Sequence, residues 1–481
     1  MYRLLAFHTV RKNLQDYRVM VLFAAILVGF ALGGFISAKD LQETASYQRS
    51  LQQAASRQSN LDAAIVPRPQ SDLGFVHADI DRELPSFLVV SPGLVDYPTE
   101  NVAVRELSPA TENLDWTFML TYLVSIVCII LTYDGVSGEA ERGTLRLLLV
   151  TGASRRQYFF GSLLGALLSV VPLLAMGCLL NLLIVFVLAP IDLTLQDWGR
   201  ILSVFGVILG LVAFFLALGL LASCLSRSST SSLLNALVLW VTVVFVVPGV
   251  SSLVAQQVWP TPPISELKQD LQGARERFYA QSYPLSSMDI RQISSREDLG
   301  REEKEARIAS LQETIDEQNA FALENYKAAV IEIREEYLNS LWDQVSWTTM
   351  MARLSPIAAY REVAAAFLGT GLSAQQSFVR QARGYMATFG EYARDLRQGA
   401  ESEAMTQEVV IEDDGFTIRN LQGISYASVD FDRRGYPRFT AARISWGEAF
   451  RNAFPALVVL ILMGSGIVLT AWLLFRRYET L

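Results

Sequence analysis

The stretch "WTFMLTYLVSIVCIILTYDGVSGEAERGTLRLLL", residues 116–149, sets an apolar run directly against an island of charge and glycine. No Asp, Glu, Lys or Arg interrupts residues 116–133, whereas Asp134, Glu139, Glu141, Arg142 and Arg146 crowd the next two turns of chain. A hydrocarbon core of ~30 Å needs roughly 20 apolar residues in helix. The run therefore reads as a membrane span, and the island as the connector that follows it.

Working outward, five more runs of that kind appear, at 19–37, 159–188, 201–221, 233–250 and 454–475. The chain has 481 residues, 51% hydrophobic and only 18% charged, too apolar for an ordinary soluble enzyme of this size. The first run is longer than the ~7–15-residue core of a secretory signal. It ends in "FISAKD", without a small-residue cleavage pattern, and reads as a retained anchor. The fold class expected is all-α integral membrane, with six transmembrane helices.

Placed in order, the chain divides into an N-terminal amphipathic interfacial helix (1–17), spans at 18–37, 116–134, 159–189, 201–222, 233–250 and 453–475, and a tail at 476–481. Between them lie an insertion at 38–115, the connector at 135–158, short loops at 190–200 and 223–232, and a large insertion at 251–452. Arg3, Arg11, Lys12 and Arg18, then Arg142, Arg146, Arg155 and Arg156, then Arg227, then Arg476 and Arg477 all fall on one side when the spans alternate. That bias puts both termini in the cytoplasm and both insertions outside. Trp116, Trp198 and Trp259 suit an interfacial belt at the opposite ends, and Trp240, inside a span, does not.

The first insertion opens without Gly or Pro and continues the first span as helix; the prolines from Pro67 to Pro109 then call for short strands and loops. The second insertion is mainly helical. One arm carries Leu267, Leu271, Ala274 and Phe278. A longer one starts at Ser294 and Glu297, with capping-box spacing, and carries the stripe Ile308, Leu311, Ile315, Leu323, Tyr326, Val330, Ile333, Tyr337 and Leu341. "SPIAAYREVAAAFLGTG" reads as a helix with Ser355 as N-cap, Pro356 at its first position and Gly369 as its stop. Ser373 and Gln376 have capping-box spacing for another, and "EVVIEDDGFTIRN" suggests a hairpin, a small β part.

Catalytic signatures are missing. No nucleotide-binding loop, H-E-x-x-H or G-x-S-x-G occurs. The acidic balance, −8 overall, speaks against nucleic acid. Cys128, Cys178 and Cys224 sit in or beside apolar runs as small hydrophobes. His8 and His77 have no ligand partner at metal spacing and read as surface residues, so no metal site is expected. The centres of the spans hold no charge, which disfavours a proton-coupled carrier. Gly161 with Gly165, and Gly206 with Gly210, are small-xxx-small pairs for helix packing. Asn181, Asn235 and Thr242 are the uncharged polar groups read as facing a partner helix or a pathway; Asn235 and Thr242 are the candidates for a pathway or dimer interface.

The connector itself predicts a helix from Glu139 onward, with Leu145, Leu148 and Leu149 on one stripe and Glu139, Arg142 and Arg146 on a charged flank. Two readings fit it: an interfacial segment whose arginines hold topology, or a docking surface for a cytoplasmic partner. Asp134, Ser137, Gly138, Glu139, Glu141, Gly143, Thr144, Leu145, Leu147, Leu148, Ser154, Arg155 and Gly161 together resemble the pattern of the ABC-2 type permease family. Two positions depart from it, Ala140 between the glutamates and Ser162 after Gly161, where that family commonly has basic residues. The long insertion before the last span, with "SPIAAYREVAAAF" and the following "FVRQARGYMATFGEYARDL", resembles a subgroup with enlarged extracytoplasmic regions, related to permeases of gliding motility and nitrous-oxide-reductase maturation.

The resemblance implies a non-catalytic subunit of a bacterial inner-membrane transporter. It would form a homodimer, or a heterodimer with a paralogous permease, each half meeting a separate ATP-binding cassette subunit that holds ATP and Mg; this chain itself binds no cofactor. Gly138, Glu139, Glu141, Arg142, Gly143, Thr144, Leu145 and Arg146 would form the ATPase-coupling interface, resting on Arg142 and Arg146 because Ala140 lacks charge. Arg3, Arg11, Lys12, Arg155 and Arg156 would anchor to the lipid surface. Rival functions are mechanotransmission to an extracytoplasmic protein partner and, from another class, a membrane receptor.

Overall fold

The computed structural model describes residues 2–478 apart from 58–63, 79–85, 92–93, 97–113, 151–153, 282–292, 294, 296–299, 402–407, 413–414 and 420–435. Among the described residues six helices are long and apolar enough to cross a membrane. A short helix, α1 (Tyr2–Gln15), precedes the first of them, α2 (Tyr17–Arg57). At 1.5 Å per residue α2 is ~60 Å long, about twice the hydrocarbon thickness, so its polar second half extends beyond the bilayer as expected.

The second span is α3 (Trp116–Phe118), a π-helical turn (Met119–Val124) and α4 (Ser125–Thr132) in continuous sequence. Two short helices, α5 (Ser137–Glu141) and α6 (Thr144–Val150), lead to the third span, α7 (Arg155–Leu188). The fourth is α8 (Leu195–Leu225). The fifth is α9 (Ser229–Val241), a second π turn (Thr242–Val246) and α10 (Val247–Val258). The sixth closes the chain as α15 (Trp446–Arg477). Helix ends outrun the apolar windows because caps set them. Ser154 with Gln157, and Thr194 with Asp197, form capping boxes that start α7 and α8 several residues before hydropathy rises.

The bundle core gathers Phe30, Cys128, Ile129, Val170, Leu174, Val204, Phe214 and Phe215 from the first four spans. Asn181 ties three of them: its Oδ1 accepts from Trp116 Nε1 at 2.9 Å and its Nδ2 donates to Phe30 O at 2.9 Å. Trp116 is thus buried, not part of a lipid-facing belt. Trp259 instead stacks on Trp347 at 4.3 Å. His77, expected at the surface, is also buried, with Nδ1 3.0 Å from Thr117 Oγ1 and 3.3 Å from Asp115 Oδ2. Among the described residues nothing packs against the Gly206–Gly210 pair, and both glycines are exposed.

Away from the termini, the two insertions form one body. A three-stranded antiparallel sheet, β1 (Ala64–Pro67), β2 (Phe87–Ser91) and β3 (Leu94–Asp96), turns Ala64, Val66, Leu88 and Val90 inward at period two. α11 (Ile264–Gln281) and α12 (Arg301–Ala352) make a helical hairpin, closed in part by Phe278 on Tyr326 at 5.2 Å. Ile308, Ile315 and Val330 are buried on α12, but Leu323 is exposed and its neighbour Ala322 faces in. The capping box expected at Ser294 lies outside the described residues.

Ser355 holds the N-cap position of α13 (Pro356–Leu368) without a side-chain cap hydrogen bond, and Gly369 ends the helix at φ 70 as its local signals predict. α14 (Leu372–Glu401) packs Phe378, Ala382 and Phe389 against the sheet. It starts one residue before Ser373, on the carbonyl of Gly371, so the expected cap falls inside the helix. β4 (Glu408–Glu412) and β5 (Gly415–Arg419) pair as the expected hairpin.

Candidate functional site

The connector starts where three spans grip it. After α4 the chain turns at Asp134–Val136, and the Val136 and Ser137 amides both donate to Ser223 Oγ of the fourth span at 3.0 Å. Tyr158 Oη of the third span donates to Gly135 O, and Ser232 Oγ of the fifth donates to Tyr133 O. A displacement of α5 therefore has a hydrogen-bonded route into spans three, four and five.

The single helix expected from Glu139 onward is broken. Gly143 takes a left-handed φ of 74, a conformation that costs residues with a Cβ ~1–2 kcal/mol, and it separates α5 from α6. The apolar stripe survives the break: Leu145 is fully buried against Val136, Phe159, Leu220 and Phe475, with Leu148 and Leu149 beside it. Leu145 consequently anchors α6 and offers no side chain to a partner. Gly138 is buried as well, where a Cβ would crowd Ser229 Oγ at 3.0 Å and Asp134 Cβ at 3.1 Å.

Beyond the end of the second span, charge converges on Glu139. Its Oε1 receives Lys12 Nζ at 3.1 Å and Arg142 Nη2 at 3.0 Å, and Thr144 Oγ1 donates to its Oε2. Asp134 lies at the edge of the same cluster, 3.8 Å from Lys12 and 3.7 Å from Arg142. Partial burial opposes ionisation of Glu139, but the Thr144 hydrogen bond and the charges of Lys12 and Arg142 outweigh it and hold the carboxyl below its ordinary value. Glu141 turns elsewhere. Its Oε2 accepts the Ser229 amide at 3.0 Å and Ser229 Oγ at 2.9 Å, which caps the fifth span and also lowers the carboxyl's pKa.

Lys12 reaches the cluster because α1 is docked on the third span. A Cβ at Gly165 would lie 2.6 Å from Thr9 Cβ and 2.8 Å from Ala6 O, and Asn13 Nδ2 donates to Ser169 Oγ at 3.2 Å. Lys12 therefore has carboxylate partners in the protein, contrary to the expected lipid anchoring. Arg155 departs from that expectation too: its Nη1 donates to the carbonyls of Phe475 at 3.2 Å and of Arg476 and Tyr478 at 2.8 Å, capping the end of the sixth span. Arg3, Arg11 and Arg156 are exposed, and Leu4, Phe7 and Leu14 on α1 are exposed beside them, as an interfacial helix requires.

Arg146 is exposed and lines a cleft behind α6. Asn235 donates to Ser226 Oγ at 2.9 Å and Thr242 to Val238 O at 2.8 Å, so both are satisfied within the chain. They stand on the outward face of the fifth span with Leu234, Val238, Phe245 and Val250.

Sequence reasoning missed Ser223, Ser229 and Tyr158 as holders of the connector. Serines near span ends are too common to signal by type alone, and their partners lie up to 88 residues away. Taken together, a hydrogen-bonded root at Tyr133–Gly138, buried from Val136 onward, carries a rim in which Arg142 and Thr144 are exposed and Glu139 is half-buried. Such a rim can exchange its ion pairs with a partner, while the root transmits movement.

A family model described as ABC-2 family transporter protein matches residues 5–477. The probable ABC transporter permease protein NosY of Pseudomonas aeruginosa is 33% identical over 129 residues, which are 26% of this chain and 45% of that protein. The match with that relative thus covers under half of its length. The family model, by contrast, runs from α1 to the end of the sixth span and takes in the connector with its charged rim. The chain belongs to the ABC-2 family of transporter proteins.

Proposed function

We propose that this chain is the permease subunit of an ATP-binding cassette transporter, coupling ATP hydrolysis by a separate ATPase chain to export of a substrate. The observation that carries the reading is the Lys12–Glu139–Arg142 cluster, with its two cations exposed, on a connector rooted in three spans. In this reading the ATPase, which binds ATP and Mg, presses on the rim of α5 and the start of α6, and Gly143 is the joint that keeps the two helices at an angle. Ser223, Tyr158 and Ser232 carry the displacement into the fourth, third and fifth spans. The basic clusters orient the chain with both termini in the cytoplasm of a bacterial cell, in the inner membrane. The outward apolar face of the fifth span is where a second copy or a paralogous permease packs.

Charge reversal of both Glu139 and Arg142 tests the coupling. With the native complex purified through a tag on this chain, an ATP-binding cassette ATPase co-purifies, and the E139K/R142E variant inserts normally but loses most of the complex's ATPase stimulation. An ATPase-free native complex, or undiminished stimulation in the variant, refutes the proposal.

Mechanotransmission is the second reading, favoured by the stiffness of the link between the fifth span and the insertions. Trp259, just past α10, stacks on Trp347 of α12, Gln344 Nε2 donates to Trp259 O at 2.8 Å, and Ser355 Oγ donates at 2.9 Å to Val243 O within the π turn. Motion of the fifth span would swing α12, 52 residues and ~78 Å long, against an extracytoplasmic protein. ATP-dependent accumulation of a substrate in sealed vesicles separates the two, since export requires it and mechanotransmission does not.

A further inference from the structure

At the end of the bundle that carries both termini, a cleft of about 660 Å³ opens between α6, the α8–α9 turn and the end of α15. Three cations line it: Arg146, Arg227 and Arg477. All three are exposed, and among the described residues none has a hydrogen bond or salt bridge. The one carboxylate in the lining, Glu141, already accepts twice from Ser229. Among the described residues the cleft thus carries three cations against one carboxylate, a basic excess, unlike the Glu139 cluster on the other side of the connector, where the charges balance.

Its frame is built by specific bonds. Tyr478 Oη donates to Ser226 O at 3.1 Å, joining the end of the sixth span to the turn after the fourth. Asn235 holds Ser226 Oγ, and Arg155 holds the final carbonyls of the sixth span. Leu225 and Tyr478 add apolar and amphipathic surface to the lining, beside Ser226. Leu225, the last residue of the fourth span, is 55% exposed, and Leu469 and Leu473 continue an exposed apolar track up the sixth. The cleft thus stands at the level where apolar spans give way to polar chain, with cations in its mouth and a greasy path leading into the bilayer.

We propose that this cleft binds the phosphate-bearing headgroup of an anionic phospholipid, with the acyl chains lying along the fourth and sixth spans. Arginine suits the role because its planar fork pairs with two phosphate oxygens. Basic pockets between spans at a membrane surface attract anionic headgroups, and a phosphatidylcholine head brings its own cation against the three arginines. The exposed apolar track of Leu225, Leu469 and Leu473 beside the cleft favours a lipid over an acidic protein segment.

The full-length chain, delipidated in detergent, is titrated with phosphatidylglycerol, phosphatidylcholine and inorganic phosphate, and occupancy is read by native mass spectrometry. Phosphatidylglycerol binds at least about tenfold tighter than phosphatidylcholine. The R227Q/R477Q variant, whose residues lie outside the Glu139 cluster, loses that preference, and R227K/R477K keeps most of it. Equal binding of the two lipids by the unaltered chain overturns the proposal without recourse to any variant. So does inorganic phosphate that displaces phosphatidylglycerol at equal concentration, which would make the site one for a soluble anion. Loss of a co-purifying ATPase from R227Q/R477Q with lipid preference intact would assign the cleft to a protein contact and overturn the lipid.

Discussion

The two ends of the bundle hold their charges in opposite ways. Away from the termini, Arg200 is buried at the start of the fourth span and donates to Phe367 O at 3.0 Å and to Ile444 O at 2.5 Å, fastening the fourth span to α13 and to the approach of the sixth. Arg443, itself half exposed, adds a bridge from Asp72 at 2.9 Å to the buried Asp197 at 3.5 Å, so the fastening rests on Arg200. At the termini end, Lys12 and Arg142 reach Glu139 through side chains about half exposed to solvent. A buried cation on backbone carbonyls has no substitute partner, whereas an exposed ion pair trades readily with water, salt or another protein. The bundle is thus fastened at one end and adaptable at the other, which is the arrangement a subunit driven from its connector requires.

Breaking the fastened end has the largest expected effect. Arg200→Ala strands two buried carbonyls and should cost about 2–4 kcal/mol, with the insertions becoming sensitive to protease. An unchanged thermal midpoint in detergent would remove the contrast between the two ends. Next comes the joint. Gly143→Ala forces a Cβ into a left-handed conformation with open space around it, so its cost is conformational, about 1 kcal/mol. ATPase stimulation should fall further than that loss of stability explains; if the two fall in proportion, Gly143 is only a structural turn.

Smaller still is the adaptable end. Lys12→Ala should shift stability by less than about 1 kcal/mol, and the shift should vanish in high salt. A larger, salt-independent loss would mean that the Glu139 cluster is as fixed as Arg200. The least effect is that of acid. The Glu139 carboxyl is held below its ordinary value of 4.5, so its contribution is complete above that pH and is lost only as pH falls through the lower folded value. The protection factors of the α1 amides, that is exchange corrected for its intrinsic pH dependence, should therefore be flat from neutrality down to that value and fall below it. Loss of protection nearer neutrality would point to another group.

Much of the connector was legible where its interactions are local. Glu139 and Arg142 are three apart, and their ion pair follows from helical spacing alone. Pro356 and Gly369 delimit α13 because each acts on the backbone beside it, whereas the Ser355 hydroxyl is taken by Val243 O of the fifth span. Lys12 and Glu139, 127 residues apart, were not legible as a pair. Their meeting depends on how closely α1 approaches the third span, which rests on Gly165 lacking a side chain. His77 and Trp116 misled for a related reason, since their types are common at surfaces and interfaces and only the contacts of Asp115, Thr117 and Asn181 bury them.

The amino-acid sequence by itself determined six spans, the placement of two insertions between them, the starts and stops of individual helices, and a basic bias on the side that holds both termini. Each of these follows from transfer free energy and backbone chemistry over a few neighbouring residues. Only the tertiary structure decided which charges are spoken for. It gave Arg155 to the end of the sixth span, Lys12 to Glu139 and Glu141 to the start of the fifth, and it left Arg146, Arg227 and Arg477 around an open cleft. A charge's partner depends on which helices pack side by side, and that is settled by the fit of side chains far apart in the chain.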